Sequence, residues 1–251
     1  MSALDRLEMR WLHKGARDEA EYQDFLLRRA AGEPVHRILG WREFWGLKFF
    51  LSPETLEPRP DSETVIEVLL QLYSVHKSKT LKVLDIGTGT GCLLLAALHE
   101  FPHATGIGID LSTGAIVTAQ KNADQLNLSS RAKFHHLSYE DSETLKSLGS
   151  FDIILCNPPY IPKGKIKKLQ KEVKDHDPIA ALDGGADGLA PYRIIVPQLA
   201  GLLNSNGIAL FEIGYDQTVA VQNIMAAQNL TASSPYRDLG GNDRVIAVKK
   251  A

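Results

Sequence analysis

A strand, a glycine-rich turn, a helix and a second strand follow one another between residues 81 and 110. Residues 81–86 form a short apolar run, residues 92–100 have helical spacing, and residues 105–110 form a second short run. Further strands are predicted at 134–137, 151–156, 207–213 and 245–248, and helices at 113–126, 192–203 and 217–229. This alternation predicts an α/β fold with a mostly parallel sheet covered by helices on both faces. Pro197 is expected to kink the helix at 192–203 or to lie near its start.

The residues before this alternation have a different pattern. Residues 17–31 predict an amphipathic helix, and alternating residues at 47–51 predict a short β-hairpin. Pro58-Arg59-Pro60 predicts a stiff extended segment, after which Asp61 is expected to cap a helix over 62–75. We therefore predict two parts, a small segment of helices and a hairpin at 1–78 and an α/β unit at 79–251.

Composition excludes several classes of protein. The chain has 28 Lys and Arg against 30 Asp and Glu, so no general basic field is available to attract nucleic acid. Two cysteines among 251 residues exclude a disulfide framework and indicate a reducing compartment, the cytoplasm. No apolar run approaches the roughly 18 residues of a membrane-spanning helix. Cys92 and Cys156 are expected to be small core residues, and no metal site is expected.

The turn at Gly87-Thr88-Gly89-Thr90-Gly91 is a candidate ligand site. Glycine lets the backbone turn sharply and lets a ligand approach main-chain atoms. The spacing differs from the dinucleotide fingerprint, and the Lys-Ser/Thr ending of a triphosphate loop is missing. Asp85 precedes the turn, and Asp110 ends the next strand, where a carboxylate can accept both hydroxyls of a ribose. The alternative is an ordinary helix-entry turn with a capping acid at the strand end.

A second candidate site follows the strand at 151–156, at Asn157-Pro158-Pro159-Tyr160. Two prolines make a rigid loop whose carbonyl oxygens remain free, and Asn157 adds a side-chain acceptor and donor. Such a loop can accept hydrogen bonds from both N–H groups of a planar NH₂ group. This would direct the nitrogen of that NH₂ group toward an electrophile. Tyr160 offers a flat face to a planar group. The alternative is a simple proline turn.

These two motifs together resemble class I methyltransferases that use S-adenosyl-L-methionine (AdoMet) to modify a planar amino or amide nitrogen. The wider chain resembles the HemK/PrmC protein-(glutamine-N5) methyltransferases, which modify the Gly-Gly-Gln glutamine of class 1 peptide-chain release factors. The resemblance implies a Rossmann-like, mostly parallel seven-stranded sheet with a small N-terminal helical domain and a hairpin linker. Further segments that resemble the family are 37–40, 43–44, 58–63, 183–189 and 212–214.

The resemblance also implies roles for individual residues. Asp85 and the turn from Gly87 to Gly91 would hold AdoMet. Asp110 would bind the ribose of AdoMet, and Asn157 would also contact the cofactor. Asn157, Pro158, Pro159 and Tyr160 would bind the substrate amide, with Asn157, Pro158 and Tyr160 acting in catalysis. The family often has Asp and an aromatic residue after the third strand, where this chain has Ser138 and Tyr139. Tyr139 could therefore stack on adenine, and Asp141 is a candidate for the missing adenine contact.

Two other functions compete with protein-glutamine methylation. Adenine N6 is also a planar NH₂ group, and the lysines at 163, 165, 167, 168, 171 and 174 could contact RNA or an acidic partner. The simpler interpretation of these lysines is a solvated helix face. A non-enzymatic AdoMet-binding protein is the third alternative, which the intact Asn157–Tyr160 motif disfavours.

We expect a monomer that acts on release factors, requires no nucleic acid and has no membrane partner. Glu212, at the end of a strand, could orient the loop.

Overall fold

The computed structural model describes residues 6–250 and begins with three helices and a hairpin. The helices are α1 (Arg6–Gly15), α2 (Glu19–Ala30) and α3 (Val35–Leu39), and the strands are β1 (Trp41–Phe44) and β2 (Leu47–Phe50). The helix and hairpin predicted here are confirmed, whereas α1 and α3 were missed. Asp18 begins α2 by accepting a hydrogen bond from the Glu21 N–H at 2.9 Å. Leu12, Phe25, Val35 and Ile38 form a small core between the three helices.

The next helix, α4 (Glu63–Tyr73), does not begin as predicted. A 3₁₀ turn at Pro60–Ser62 precedes it, and no side chain caps its first turn. The prediction that Asp61 caps this helix was wrong. The Asp61 carboxylate instead lies 3.4 Å from the Arg244 guanidinium, a partner 183 residues away that the local sequence could not reveal.

The central sheet contains the strands predicted from residue 81 onward. They are β3 (Lys82–Ile86), β4 (Thr105–Asp110), β5 (Ala132–His136), β6 (Phe151–Cys156), β7 (Leu203–Glu212), β8 (Leu230–Ala232), β9 (Tyr236–Arg237) and β10 (Asp243–Lys250). The order is β5-β4-β3-β6-β7-β10-β8, and β9 pairs with β10 as an eighth strand. The first five strands in this order are parallel, and β10 is antiparallel to β7. The predicted mostly parallel sheet is confirmed, whereas the short strands β8 and β9 were missed.

Helices connect these strands and cover both faces of the sheet. They are α5 (Cys92–Glu100), α6 (Thr113–Gln125), α7 (Ser142–Ser147), α8 (Lys163–Ile166), α9 (Lys171–His176), α10 (Ala190–Ile195), α11 (Leu199–Leu202) and α12 (Thr218–Ala226). The kink expected at Pro197 is confirmed, because a 3₁₀ turn at Val196–Gln198 separates α10 from α11. Among the described residues, no helix has the length and apolar character needed to cross a membrane.

Two apolar cores lie on the two faces of the sheet. Val83 and Ile153 belong to one core, and their chain neighbours Leu84 and Ile154 belong to the other, as side chains alternate along a strand. Phe44 of the hairpin and residues of α4 pack into the first core. Packing is therefore continuous across residue 78, and the division of the chain at 78/79 stays a prediction.

Candidate active site

Three parallel strands end at one edge of the sheet and bring the two predicted motifs together. Ile86 at the end of β3 pairs with Ile109 of β4 on one side and with Cys156 of β6 on the other. The glycine turn, Asp110 and Asn157 follow these positions directly. Parallel α/β sheets bind their ligands outside this carboxyl edge, so the topology places both motifs at one candidate site.

The glycine turn is held from below by main-chain hydrogen bonds. The N–H groups of Gly87 and Thr88 both donate to the Ile109 carbonyl at 2.9 Å. Gly87 and Gly89 have φ values of +74° and +55°, and no protein atom lies within 4 Å of the position a Cβ would take at either residue. The outer surface of the turn is therefore open to a ligand that approaches the backbone closely.

Asp85 lies beneath this turn and is almost fully buried. The Thr88 hydroxyl donates to Asp85 Oδ2 at 2.6 Å, whereas Oδ1 has no hydrogen-bond partner. Burial is the main cause that raises the pKa of Asp85 to about 7. Thr90 is also buried, and its carbonyl accepts a hydrogen bond from the Asn122 amide at 2.9 Å. Both residues therefore shape the turn from within.

Asp110 braces the turn from the neighbouring strand. Its Oδ2 accepts from the Gly89 N–H and its Oδ1 from the Ser112 N–H, both at 2.9 Å. Burial raises its pKa, and the two N–H donors act in the opposite direction. Each carboxylate oxygen keeps a second lone pair, so Asp110 can still accept hydrogen bonds from hydroxyl groups of a ligand.

The residues after β5 remain the least defined part of the predicted site. Tyr139 is half-buried against the second core, and its carbonyl accepts from Gln198 Nε2 at 2.8 Å. The Asp141 carboxylate accepts from the Thr144 N–H at 3.1 Å as the cap of α7. Ser138 Oγ accepts from the Glu140 N–H at 3.1 Å. Because Asp141 already caps a helix, adenine recognition by its carboxylate has no support here, and the role of Tyr139 stays a prediction.

The Asn157–Tyr160 loop is fixed by a segment whose role the sequence did not reveal. Ile161 pairs with Asp183 in a single bridge, and the Gly184 N–H donates to the Ile161 carbonyl at 2.9 Å. Gln217 Nε2 donates to the Tyr160 carbonyl at 3.0 Å. A Cβ on Gly188 would lie 2.4 Å from that same carbonyl, which explains why glycine is needed at this position. Pro158 is buried, and Pro159 is half-buried.

Beneath the loop lies a network of buried polar side chains. The Tyr160 hydroxyl donates to Glu212 Oε1 at 3.1 Å, so Glu212 contacts the loop, and its role in orienting the loop stays a prediction. Arg244 Nη1 approaches the Tyr160 hydroxyl at 3.5 Å, and Arg244 Nη2 donates to Asp238 Oδ2 at 2.8 Å. Burial raises the pKa of Glu212, and Arg244 partly offsets this. Arg244 and Asp238 were missed because nothing near them in the sequence marks them.

Comparison with known proteins assigns the family. Residues 77–232 match the family model described as a methyltransferase domain. The release factor glutamine methyltransferase of Agrobacterium fabrum is 46% identical over 241 residues, which cover 95% of this chain and 82% of the relative. The protein of the same name from Bradyrhizobium diazoefficiens is 47% identical over 226 residues, or 89% of this chain and 74% of the relative.

The chain belongs to the release factor glutamine methyltransferase family. The resemblance to this family that the sequence motifs indicate is confirmed. The fold also agrees with that of class I methyltransferases. The hMettl16 catalytic domain, in complex with an MAT2A 3′UTR hairpin, matches with a TM-score of 0.64 at 17% identity, over 85% of this chain and 80% of that one.

The remaining candidate residues lie outside the methyltransferase motifs. All six lysines of the 163–174 segment are exposed, and two of them pair with carboxylates: Lys165 with Asp216 and Lys174 with Asp175. Burial raises the pKa of Cys92 to about 12 and that of Cys156 above its usual value, so neither thiol is a ready nucleophile. Among residues 6–250, no group of three or more His, Cys, Asp or Glu side chains could hold a metal ion.

Proposed function

We propose that this chain transfers a methyl group from AdoMet to the side-chain amide nitrogen, N5, of the glutamine in the Gly-Gly-Gln motif of class 1 peptide-chain release factors. The observation that carries this proposal is the placement of the rigid Asn157–Tyr160 loop beside the open glycine turn at one sheet edge. The names of the relatives support the same reaction and the same substrate class.

The shape of the glycine turn fits the proposed cofactor. The open positions beside Gly87 and Gly89 suit the methionine portion of AdoMet, and the free lone pairs of Asp110 suit two ribose hydroxyls. When bound, the cofactor supplies a methyl group that is already activated on a sulfonium. Asp85, Thr88, Thr90 and Gly91 keep the turn in shape, and Tyr139 is proposed to stack on the adenine.

The harder part of the reaction is the weak nucleophile. An amide nitrogen shares its lone pair with its carbonyl group. We propose that Asn157 Oδ1 and the Pro158 carbonyl each accept one N–H bond of the substrate glutamine. These hydrogen bonds strengthen as positive charge develops on nitrogen, so they stabilise the transition state more than the ground state. The methylated amide is then very acidic and loses its proton to solvent without a strong base.

The first 78 residues are proposed to dock the release factor. They are tied to the 161–189 segment by Asp177, whose carboxylate accepts from Arg37 Nη2 at 2.6 Å and also pairs with Arg59. The Arg29–Glu172 pair, at 2.7 Å, adds a second link. These contacts would hold a docked protein in a fixed position relative to the Asn157 loop. We further propose that the protein is a cytoplasmic monomer and that its activity requires no nucleic acid.

Mass spectrometry of the substrate tests this function. A purified class 1 release factor is incubated with AdoMet and this chain after RNase treatment, and the tryptic Gly-Gly-Gln peptide is read for one added methyl group. The proposal predicts methylation of the glutamine with the unaltered chain and little with Asn157→Ala. An unmodified peptide, with AdoMet still bound by calorimetry, would contradict the proposed substrate.

A further inference from the structure

The direction of the Asn157 side-chain amide decides what this residue can do. Its oxygen accepts hydrogen bonds, whereas its NH₂ group only donates them. A substrate NH₂ group also donates, so Asn157 can hold it only if Oδ1 points toward the substrate. A 180° flip of the side-chain amide would place two donors against each other. Something on the protein side must therefore select one orientation.

Ser62 is the residue in position to make this selection. Asn157 Nδ2 donates to Ser62 Oγ at 3.2 Å, across 95 residues of sequence. Ser62 is buried at the start of α4, so water does not compete for its hydroxyl. This contact leaves Oδ1 of Asn157 as the end of the amide that is not bound to Ser62.

A serine hydroxyl can also donate, so by itself it would accept either end of the amide. In the structure the Asn157 NH₂ group is the donor and Ser62 Oγ is the acceptor, so Asn157 Oδ1 is left free to face the substrate.

We propose that Ser62 is a positioning residue that holds Asn157 with its oxygen toward the substrate amide. The proposal rests on the proposed function, because it assigns Asn157 Oδ1 to the substrate NH₂ group. Ser62 lies in the 58–63 segment, for which the sequence motifs gave no chemical role.

Kinetics on three variants test this role. Ser62→Ala removes the acceptor, Ser62→Thr keeps a hydroxyl, and Thr64→Ala removes another buried hydroxyl two residues further along α4 as a matched control. We expect kcat to fall about tenfold in Ser62→Ala, with AdoMet affinity and the substrate KM within about twofold, since a lost hydrogen bond and a partly flipped amide are worth about that factor. Ser62→Thr and Thr64→Ala should keep most of the activity.

A double-mutant cycle separates positioning from general damage. If Ser62 acts through Asn157, Ser62→Ala should change kcat by less than about twofold in the Asn157→Ala background. An equal loss in both backgrounds, or a Ser62→Ala variant as active as the unaltered chain, would overturn the proposal.

Nuclear magnetic resonance provides a readout that does not depend on activity. The side-chain NH₂ signals of Asn157 are identified by their loss in Asn157→Ala. Ser62→Ala should shift them and speed their exchange with solvent, whereas Thr64→Ala should leave them unchanged. Unchanged Asn157 signals in Ser62→Ala would overturn the proposal. If the signals shift as expected and no release factor is methylated by any variant, the proposed function fails and the Ser62–Asn157 contact stands.

Discussion

The two halves of the active-site cleft are built in different ways. The half around the glycine turn consists of residues 85–112, a single stretch held mainly by main-chain hydrogen bonds and Asp110. The half around Asn157–Tyr160 is held by side chains from distant parts of the chain. These are Ser62, Glu212, Gln217 and Arg244, together with the glycine segment 184–188.

The buried acids of the two halves show the consequence. Asp85 has a single side-chain donor, Thr88, and its pKa rises to about 7. Glu212 has Tyr160 and the nearby Arg244, and both favour its charged form. Burial therefore raises the pKa of both acids, but Glu212 has partners in Tyr160 and Arg244 that offset this effect, whereas Thr88 is the only side chain that does so for Asp85. Substitutions in the glycine half should therefore change stability and AdoMet affinity, whereas substitutions in the loop half should change turnover.

The largest expected effect concerns stability and pH in the glycine half. Between pH 4 and about 7 the folded state keeps a proton on Asp85 that the unfolded state has lost, so this group lowers stability as the pH rises through that window. Asp85→Asn removes this contribution. Relative to the unaltered chain, the variant should gain about 1–3 kcal/mol in free energy of unfolding between pH 5 and pH 8. Urea unfolding of both proteins without AdoMet at the two pH values measures this, and a difference that does not change with pH would contradict it.

Asp110→Ala should weaken the cofactor rather than the chemistry. Losing a carboxylate that braces Gly89 and accepts from ligand hydroxyls is expected to reduce AdoMet affinity about tenfold to a hundredfold. Calorimetry measures this, and Asp124→Ala, on the exposed surface of α6, is the matched control. Normal AdoMet affinity in Asp110→Ala would show that the two halves do not divide their roles in this way.

Gly188→Ala should lower turnover and leave AdoMet affinity unchanged, the reverse of the result expected for Asp110→Ala. The new Cβ would meet the Tyr160 carbonyl at 2.4 Å, at a residue whose φ of +81° already disfavours a side chain. We expect turnover to fall about tenfold because the Asn157 loop must shift, with AdoMet affinity unchanged. Gly164→Ala, in the same segment but with no atom within 4 Å of its Cβ, should behave like the unaltered chain. Equal turnover in the two variants would contradict the account.

The smallest effect is expected for the exposed lysines beside the loop half. Neither Lys167 nor Lys168 has a carboxylate partner among the described residues. Both lie in the turn between α8 and α9 and not on the helix face that the sequence predicted. If they are simply solvated, replacing both with Ala should change the KM for the release factor by less than about twofold. A tenfold rise in KM that disappears at high salt would instead identify a contact surface for an acidic partner.

The same contrast explains what the sequence could predict. The glycine turn, Asp110 and the Asn157–Tyr160 motif were found because each follows a recognisable strand, and parallel topology brings strand ends together. Ser62 and Arg244 were missed because their partners lie 95 and 84 residues away in the sequence. Asp61 was misassigned for the same reason, since its nearby helix start suggested a cap and its actual partner, Arg244, is distant. Local patterns therefore predict the fold and the motifs, and long-range polar contacts require the structure.

The most direct test of the central claim compares two quantities for Asn157→Ala. AdoMet affinity is measured by calorimetry, and the rate of glutamine methylation is measured in a single turnover on a release factor. The account predicts at least an approximately hundredfold loss of rate with AdoMet affinity within about twofold, because Asn157 stabilises the substrate amide in the transition state. An equal loss in rate and in affinity would show that Asn157 serves the cofactor, and would contradict the division of the cleft described above.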